Sequence, residues 1–274
     1  MTVLTKTGIE DRLDNVRRLI CLDVDGTIVD HQGRMTDRVR EAARAVVAAG
    51  HEVVVSTGRS LGAALPVMRE IGIDHGHLVA SNGGVLARVS GDKVEVTHRE
   101  VFDPSLVLAA LHRNLPTAKY AVETETGAFL SSDIFQDASF GAETKVVEFE
   151  RLLESRAVRV VVFSTDATAE DFGTAVHGLG LSGVTYSVGW TAWLDIAAEG
   201  TTKASGLERL RGTLGFDSRH TLAVGDGRND IEMLQWAGHG VAMGQAPDEV
   251  KEAADAVTAG VDDDGLALVL EGLL

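Results

Sequence analysis

Short apolar runs alternate with amphipathic stretches at both ends of the chain. The run Leu19-Ile20-Cys21-Leu22 stops at Asp23-Val24-Asp25-Gly26-Thr27, and a loop continues to about Met35. Thr36 is placed to cap a helix through about Ala49, because Val39, Ala43, Val46 and Val47 recur at helical spacing and Gly50 follows as a stop. A second apolar run, from His51 to Val55, ends at Ser56-Thr57-Gly58-Arg59, and the helix after it is expected to stop near Gly72. Leu78-Val79-Ala80 predicts a third strand, closed by Ser81-Asn82-Gly83-Gly84. Short apolar strands between amphipathic helices predict a parallel sheet covered on both faces. Ligands bind such sheets beyond the carboxyl ends of the strands. All three polar clusters fall there.

The texture changes between about Val85 and Val188. Val94-Glu95-Val96-Thr97 and Ala121-Val122-Glu123-Thr124 alternate, Val158 to Phe163 reads as a buried strand, and helices are expected at 104–115 and 168–179. The first pattern returns from about Trp193, with a short strand at Leu194-Asp195-Ile196 and a helix opening at Lys203. A further strand, Thr221 to Val224, ends in Gly225-Asp226-Gly227-Arg228-Asn229-Asp230; a helix from Ile231, a strand at Gly240 to Met243 and a helix from Glu249 follow. The expected fold class is α/β: a Rossmann-like, doubly wound parallel sheet core (residues 1–84 and 189–274) with an inserted α+β unit (residues 85–188).

Composition narrows the partners. The 274 residues are 45% hydrophobic and 24% charged, ordinary for a globular protein with a sizeable core. The 41 acidic and 25 basic side chains give a formal net charge of -16, which repels nucleic acid and anionic lipid. The same charge repels phosphorylated substrates at long range, so a phosphate site needs its own metal ion or lysine. Cys21 is the single cysteine, which excludes an internal disulfide. The N-terminal stretch lacks the apolar segment of a signal peptide and no run is long enough to span a bilayer, so a cytoplasmic protein without membrane partners is expected.

The polar clusters carry candidate chemistry, each beside a plainer reading. Asp23 and Asp25 fit a solvated loop, or a nucleophile with an acid/base beside it; a carboxylate is ionised at neutral pH and needs no activating base. In the second role Asp25 must be protonated for one step and deprotonated for the next. Gly225 to Asp230 suits a strand-to-helix turn, or oxygen ligands for a hard cation such as Mg2+. Thr57 is a helix cap or a hydroxyl donor to a phosphoryl oxygen. Lys203 is a surface lysine, or a cation held at a helix start for a reason other than the helix dipole. Asn82 reads first as a turn residue, and Tyr120, Glu123, Trp190 and Trp193 as packing residues.

Together these segments resemble the haloacid dehalogenase superfamily of phosphohydrolases, most nearly its Cof-type, sugar-phosphatase-like branch with a large type IIB-like cap. Asp23 to Thr27 matches the first motif, Ser56 to Arg59 the second, Lys203 the third and Gly225 to Asp230 the fourth. Ile231-Glu232-Met233-Leu234, Val241-Ala242-Met243-Gly244 and Asp264-Gly265 are also similar to this branch. The resemblance implies a Mg2+-dependent phosphatase acting on a small phosphorylated metabolite through an aspartyl-phosphate, in a monomer or small homo-oligomer. It implies Asp23 as nucleophile and metal ligand, Asp25 as acid/base and as metal ligand through its carbonyl, Asp226 as the remaining ligand and Asp230 in support. Val24, Thr57, Gly58, Lys203 and Asn229 are implied to hold the phosphoryl oxygens. Gln245 stands where the branch often has Asn, a departure expected to leave the chemistry untouched. A phosphomutase using the same aspartate and a non-catalytic sugar-phosphate sensor are the alternative readings.

Overall fold

The computed structural model describes residues 16–134, 140–164, 166, 168–188 and 192–274. Five strands come first: β1 (Leu19–Leu22), β2 (Glu52–Ser56), β3 (His75–Ala80), β4 (Val85–Ser90) and β5 (Lys93–Arg99). Six follow in the middle of the chain: β6 (Lys119–Thr124), β7 (Phe129–Ser131), β8 (Lys145–Val146), β9 (Ala157–Phe163), β10 (Val184–Val188) and β11 (Trp193–Ala198). The chain closes with β12 (Thr221–Gly225), β13 (His239–Ala242) and β14 (Ala256–Val257).

The first sheet runs β14-β13-β12-β1-β2-β3-β4-β5, parallel from β14 to β3 and antiparallel beyond. Side chains alternate across a strand, and β1 shows what that does. Ile20 and Leu22 enter one apolar layer with Val39, Ala43 and Val46 of the helix Asp37–Ala48 and with Leu266 and Leu270 of the helix Gly265–Glu271. Leu19 and Cys21 enter the opposite layer with Leu207 of the helix Lys203–Leu214 and Met233 of the helix Ile231–Trp236. Burial on both faces explains the unbroken apolar run, and it pushes the Cys21 thiol pKa up. This is the expected doubly wound α/β core.

The second sheet, β10-β11-β9-β6-β7-β8, is mostly antiparallel and covers its own apolar core. Sheet membership departs from the expected division in two places. β4 and β5 were expected in the inserted unit but extend the first sheet, and β11 was expected in the core but pairs with β9 and β10. The physical reason is that period-2 alternation marks any half-buried strand and cannot say which sheet it joins. β5, which ends the first sheet, finishes at Arg99, and β11, the last strand of the second sheet, finishes at Ala198. Among the described residues no helix is long and apolar enough to cross a membrane.

Candidate active site

Asp23 is the first residue beyond β1. Its backbone N–H still donates to the Val224 carbonyl (3.0 Å), so the ladder holds it in place, and it is only 5% exposed. The chain then folds back sharply, with the N–H groups of Ile28 and Val29 both donating to the Val24 carbonyl at 2.9 Å. Gly26 makes this turn at φ +80°, and a Cβ there would lie 2.1 Å from Asp226 Oδ2. Only glycine lets the first polar cluster approach the fourth this closely.

Lys203 joins the two from the side. Thr202 caps its helix in a reciprocal box: its hydroxyl accepts from the Ser205 N–H (3.2 Å), and the Ser205 hydroxyl accepts from the Thr202 N–H (2.9 Å). The side chain of Lys203 is buried, which removes the surface reading. Its Nζ donates to Asp23 Oδ1 at 2.5 Å and to Asp230 Oδ1 at 2.6 Å. Burial opposes the ammonium charge, but these two carboxylates hold its pKa above the usual lysine range. The other oxygen of Asp230 accepts the N–H groups of Asp226 (3.0 Å) and Gly227 (2.9 Å), so Asp230 is spent on shaping the loop.

Carboxylate oxygens of Asp23, Asp226 and Asp230 lie within 4.8 Å of one another. Burial first, then the charge of Asp230, pushes Asp23 well above the usual carboxylate range, while Lys203 works in the opposite direction. The same two causes push Asp226 up to about 6. Three carboxylates against one ammonium leave an excess of negative charge in a desolvated space, which a hard cation with oxygen ligands relieves. The donor set therefore fits a hard divalent cation, with Asp23 and Asp226 as the carboxylates still able to ligate it.

The second and third loops complete the floor. Ser60, rather than Thr57, caps the helix Leu61–Glu70, accepting from the Ala63 N–H at 3.3 Å. Thr57 Oγ1 accepts from the Arg59 N–H at 3.1 Å, and that leaves its own proton available for an acceptor. Asn82 is a turn residue at φ 52°, and its Oδ1 also accepts from Asn229 Nδ2 at 2.9 Å. Gly83, at φ +97°, brings this turn against the Lys203 helix; a Cβ there would sit 2.0 Å from the Thr202 carbonyl. Asp25 does not join the Lys203 cluster. Arg59 grips its carboxylate with Nε (2.9 Å) and Nη2 (2.5 Å).

Two of these partners were missed in the sequence. Arg59 was legible as part of a motif but not as the clamp on Asp25. Gln245 touches the site: its Nε2 donates to the Gly26 carbonyl (2.6 Å) and to Asp226 Oδ2 (3.1 Å), tying the first loop to the fourth. Its place beyond β13, another strand end over the site, was the available signal.

The cap contributes from above. Ser81 Oγ donates to Glu123 Oε2 at 2.6 Å, and Arg159 Nη1 donates to the Gly58 carbonyl. Glu123 is therefore a link between cap and core rather than plain packing, whereas Tyr120 is buried with its hydroxyl on the Leu115 carbonyl (2.7 Å). Trp193 donates from Nε1 to Asp195 Oδ2 at 2.8 Å, and Trp190 lies outside the described residues. Arg159 was hidden in the sequence inside Val158-Arg159-Val160-Val161-Val162; a lone charge in a buried strand was the signal. A cleft of about 900 Å3 separates Lys203, Asn82 and Asn229 on the core side from Arg159, Asp195 and Tyr186 on the cap side.

Comparison with known proteins shows the family. Residues 20–270 match the haloacid dehalogenase-like hydrolase family. The 5-amino-6-(5-phospho-D-ribitylamino)uracil phosphatase YcsE of Bacillus subtilis is 27% identical, with 91% of this chain and 93% of that protein covered. A phosphoglycolate phosphatase of Methanothermobacter thermautotrophicus is 28% identical, with 91% of this chain and 96% of that one covered. Among solved structures, a haloacid dehalogenase subclass IIB sugar phosphatase superimposes with a TM-score of 0.78 at 26% identity, covering 94% of this chain and all of that one (100%). The chain belongs to the haloacid dehalogenase-like hydrolase family, as an enzyme of the phosphatase kind.

Proposed function

We propose that this enzyme hydrolyses small organic phosphate monoesters with Mg2+, passing the phosphoryl group through Asp23. The observation that carries the reading is the buried Asp23 carboxylate at the end of the central strand, with Lys203 Nζ 2.5 Å away and Asp226 within metal-sharing distance. The named substrates of the relatives, a ribityl phosphate and phosphoglycolate, are likewise small monoesters.

In the first step one Asp23 oxygen attacks phosphorus, the ester P–O bond breaks and its electron pair leaves with the alcohol oxygen. Asp25 supplies the proton that oxygen needs. In the second step water attacks the phosphorus of the acyl phosphate, Asp25 takes its proton, and the bond to Asp23 breaks to release phosphate. Lys203, Thr57, Asn229 and the N–H groups of Val24 and Gly58 orient the phosphoryl oxygens, and positioning is most of what loose phosphoryl transfer requires. Mg2+ held by Asp23, Asp226 and the Asp25 carbonyl would neutralise charge on the transferred group.

The test is phosphate release from a panel of small esters, with Mg2+ or with EDTA, for wild type and Asp23→Asn. Metal-dependent release that disappears in the variant is the expected result. Release that persists in Asp23→Asn would remove the aspartyl-phosphate route, and no release from any ester would remove simple hydrolysis.

A further inference from the structure

Arg159 lies on β9 beside Glu123 of β6, its direct partner across the sheet, and is 2% exposed. Its Nε faces Asp195 Oδ1 at 3.3 Å, its Nη1 donates to the Gly58 carbonyl, and its guanidinium lies over the Phe140 ring, 5.3 Å from the centroid. These contacts fix the plane of the group. Among the described residues Nη2 has no hydrogen-bond partner, although it is buried and the residue lines the cleft. A buried donor left unmade is costly, so a fold that keeps one on a residue lining its cleft has left a place for an acceptor.

The walls indicate which acceptor. Lys203 serves Asp23, Asp230 and the phosphoryl side of the cleft, and Arg228 is paired with Glu249. Glu170 and Glu232 add further negative charge to the lining, and Asp195 stands beside Arg159. A second carboxylate or phosphate on the ligand would meet this negative wall, whereas a neutral hydroxyl oxygen would not.

We propose that Arg159 is a specificity-determining residue whose Nη2 donates to a hydroxyl oxygen on the alcohol portion of a neutral polyol monophosphate, while its Nη1 holds the Gly58 loop on the phosphate side. The orientation of the ligand rests on the phosphatase reading, with phosphate toward Lys203 and the alcohol toward the cap. A single side chain then couples recognition of the leaving alcohol to the loop that holds the phosphate. Lysine cannot reproduce this, because the fork of the guanidinium serves two directions at once.

Calorimetric titration separates the inference from hydrolysis. The full chain carrying Asp23→Asn, with Mg2+, is titrated with a hexitol monophosphate, hexyl phosphate, a carboxylate-bearing monophosphate of similar length, and inorganic phosphate. Adding Arg159→Met is expected to weaken the hexitol ester at least about tenfold more than it weakens hexyl phosphate and inorganic phosphate, which share only the loss of the Gly58 contact, with Arg159→Lys also losing the preference. An unchanged preference in Arg159→Met, an equal loss for every ligand, or tighter binding of the carboxylate ester overturns the proposal. Should both Arg159 variants misfold, a series of hexitol monophosphates each lacking one hydroxyl is titrated against the protein with Arg159 intact. One position should then cost at least about tenfold, and uniform tolerance of every deletion overturns the proposal. A protein that shows the Arg159-dependent preference but releases no phosphate in the wild-type assay would keep this inference and remove hydrolysis.

Discussion

Lys203 carries its charge at the first position of a helix, where the dipole disfavours a cation, and inside the protein, where burial does too. Both penalties are offset by Asp23 and Asp230. Removing one member of such a buried group leaves the others uncompensated, at a typical cost of about 3–5 kcal/mol. Lys203→Met is therefore expected to lower the thermal midpoint clearly and to abolish measurable phosphate release; a variant with wild-type stability would show that the carboxylates simply take up protons. Gln245 acts one step out, through Gly26 and Asp226. Residues in that position typically change metal affinity about 10–100-fold, so Gln245→Ala should shift the Mg2+ dependence of activity to higher concentration by that order, with nearly full rate at saturation. A lowered rate at saturating Mg2+ would instead give Gln245 a direct part in the chemistry. The motif aspartates and Lys203 were legible because their spacing is local and each follows an apolar strand. Arg59, Gln245 and Arg159 were not, because what they do depends on which loops meet across more than thirty residues of chain.

At the scale of elements, the site is made by tight turns that bring strand ends and helix starts into contact. Gly83 shows the strength of that demand. It has positive φ like Gly91, but a Cβ at Gly83 would meet the Thr202 carbonyl at 2.0 Å, whereas nothing lies within 4 Å of one at Gly91. An L-residue in this region costs about 1–3 kcal/mol by backbone strain alone. Gly91→Ala is expected to show only that cost in urea unfolding, and Gly83→Ala clearly more, because backbone must move as well. Equal losses would mean that the Lys203 helix can shift freely against the Asn82 turn. The alternation of strands and helices was readable from hydropathy, since a strand buried on both faces is uniformly apolar and its helices are amphipathic. Sheet membership was not: β4, β5 and β11 carry the same period-2 pattern whether they close the core sheet or the cap sheet, and only long-range pairing decides.

Across the described residues, polar links join the cap to the loops that floor the site, among them Arg159 to Gly58, Glu123 to Ser81 and Ser60 to the Phe140 carbonyl, and the cleft opens to solvent around a chain of formal charge -16. The local cations that receive a phosphate are buried and short-ranged, so an approaching phosphorylated ligand meets mostly repulsion until it is close. Salt screens exposed charges over about 30 Å at 0.01 M ionic strength but only about 8 Å at 0.15 M, and it affects buried pairs much less. Raising potassium chloride across that range at fixed, saturating Mg2+ should therefore lower KM for an anionic ester while kcat stays nearly constant. A neutralised wall leaves the chemical step, which depends on the buried Asp23 and Lys203 and on Asp25 held by Arg59, as it was. If KM rises with salt instead, long-range attraction dominates, and the positive field of the occupied metal site must extend beyond the cleft and outweigh the acidic surface.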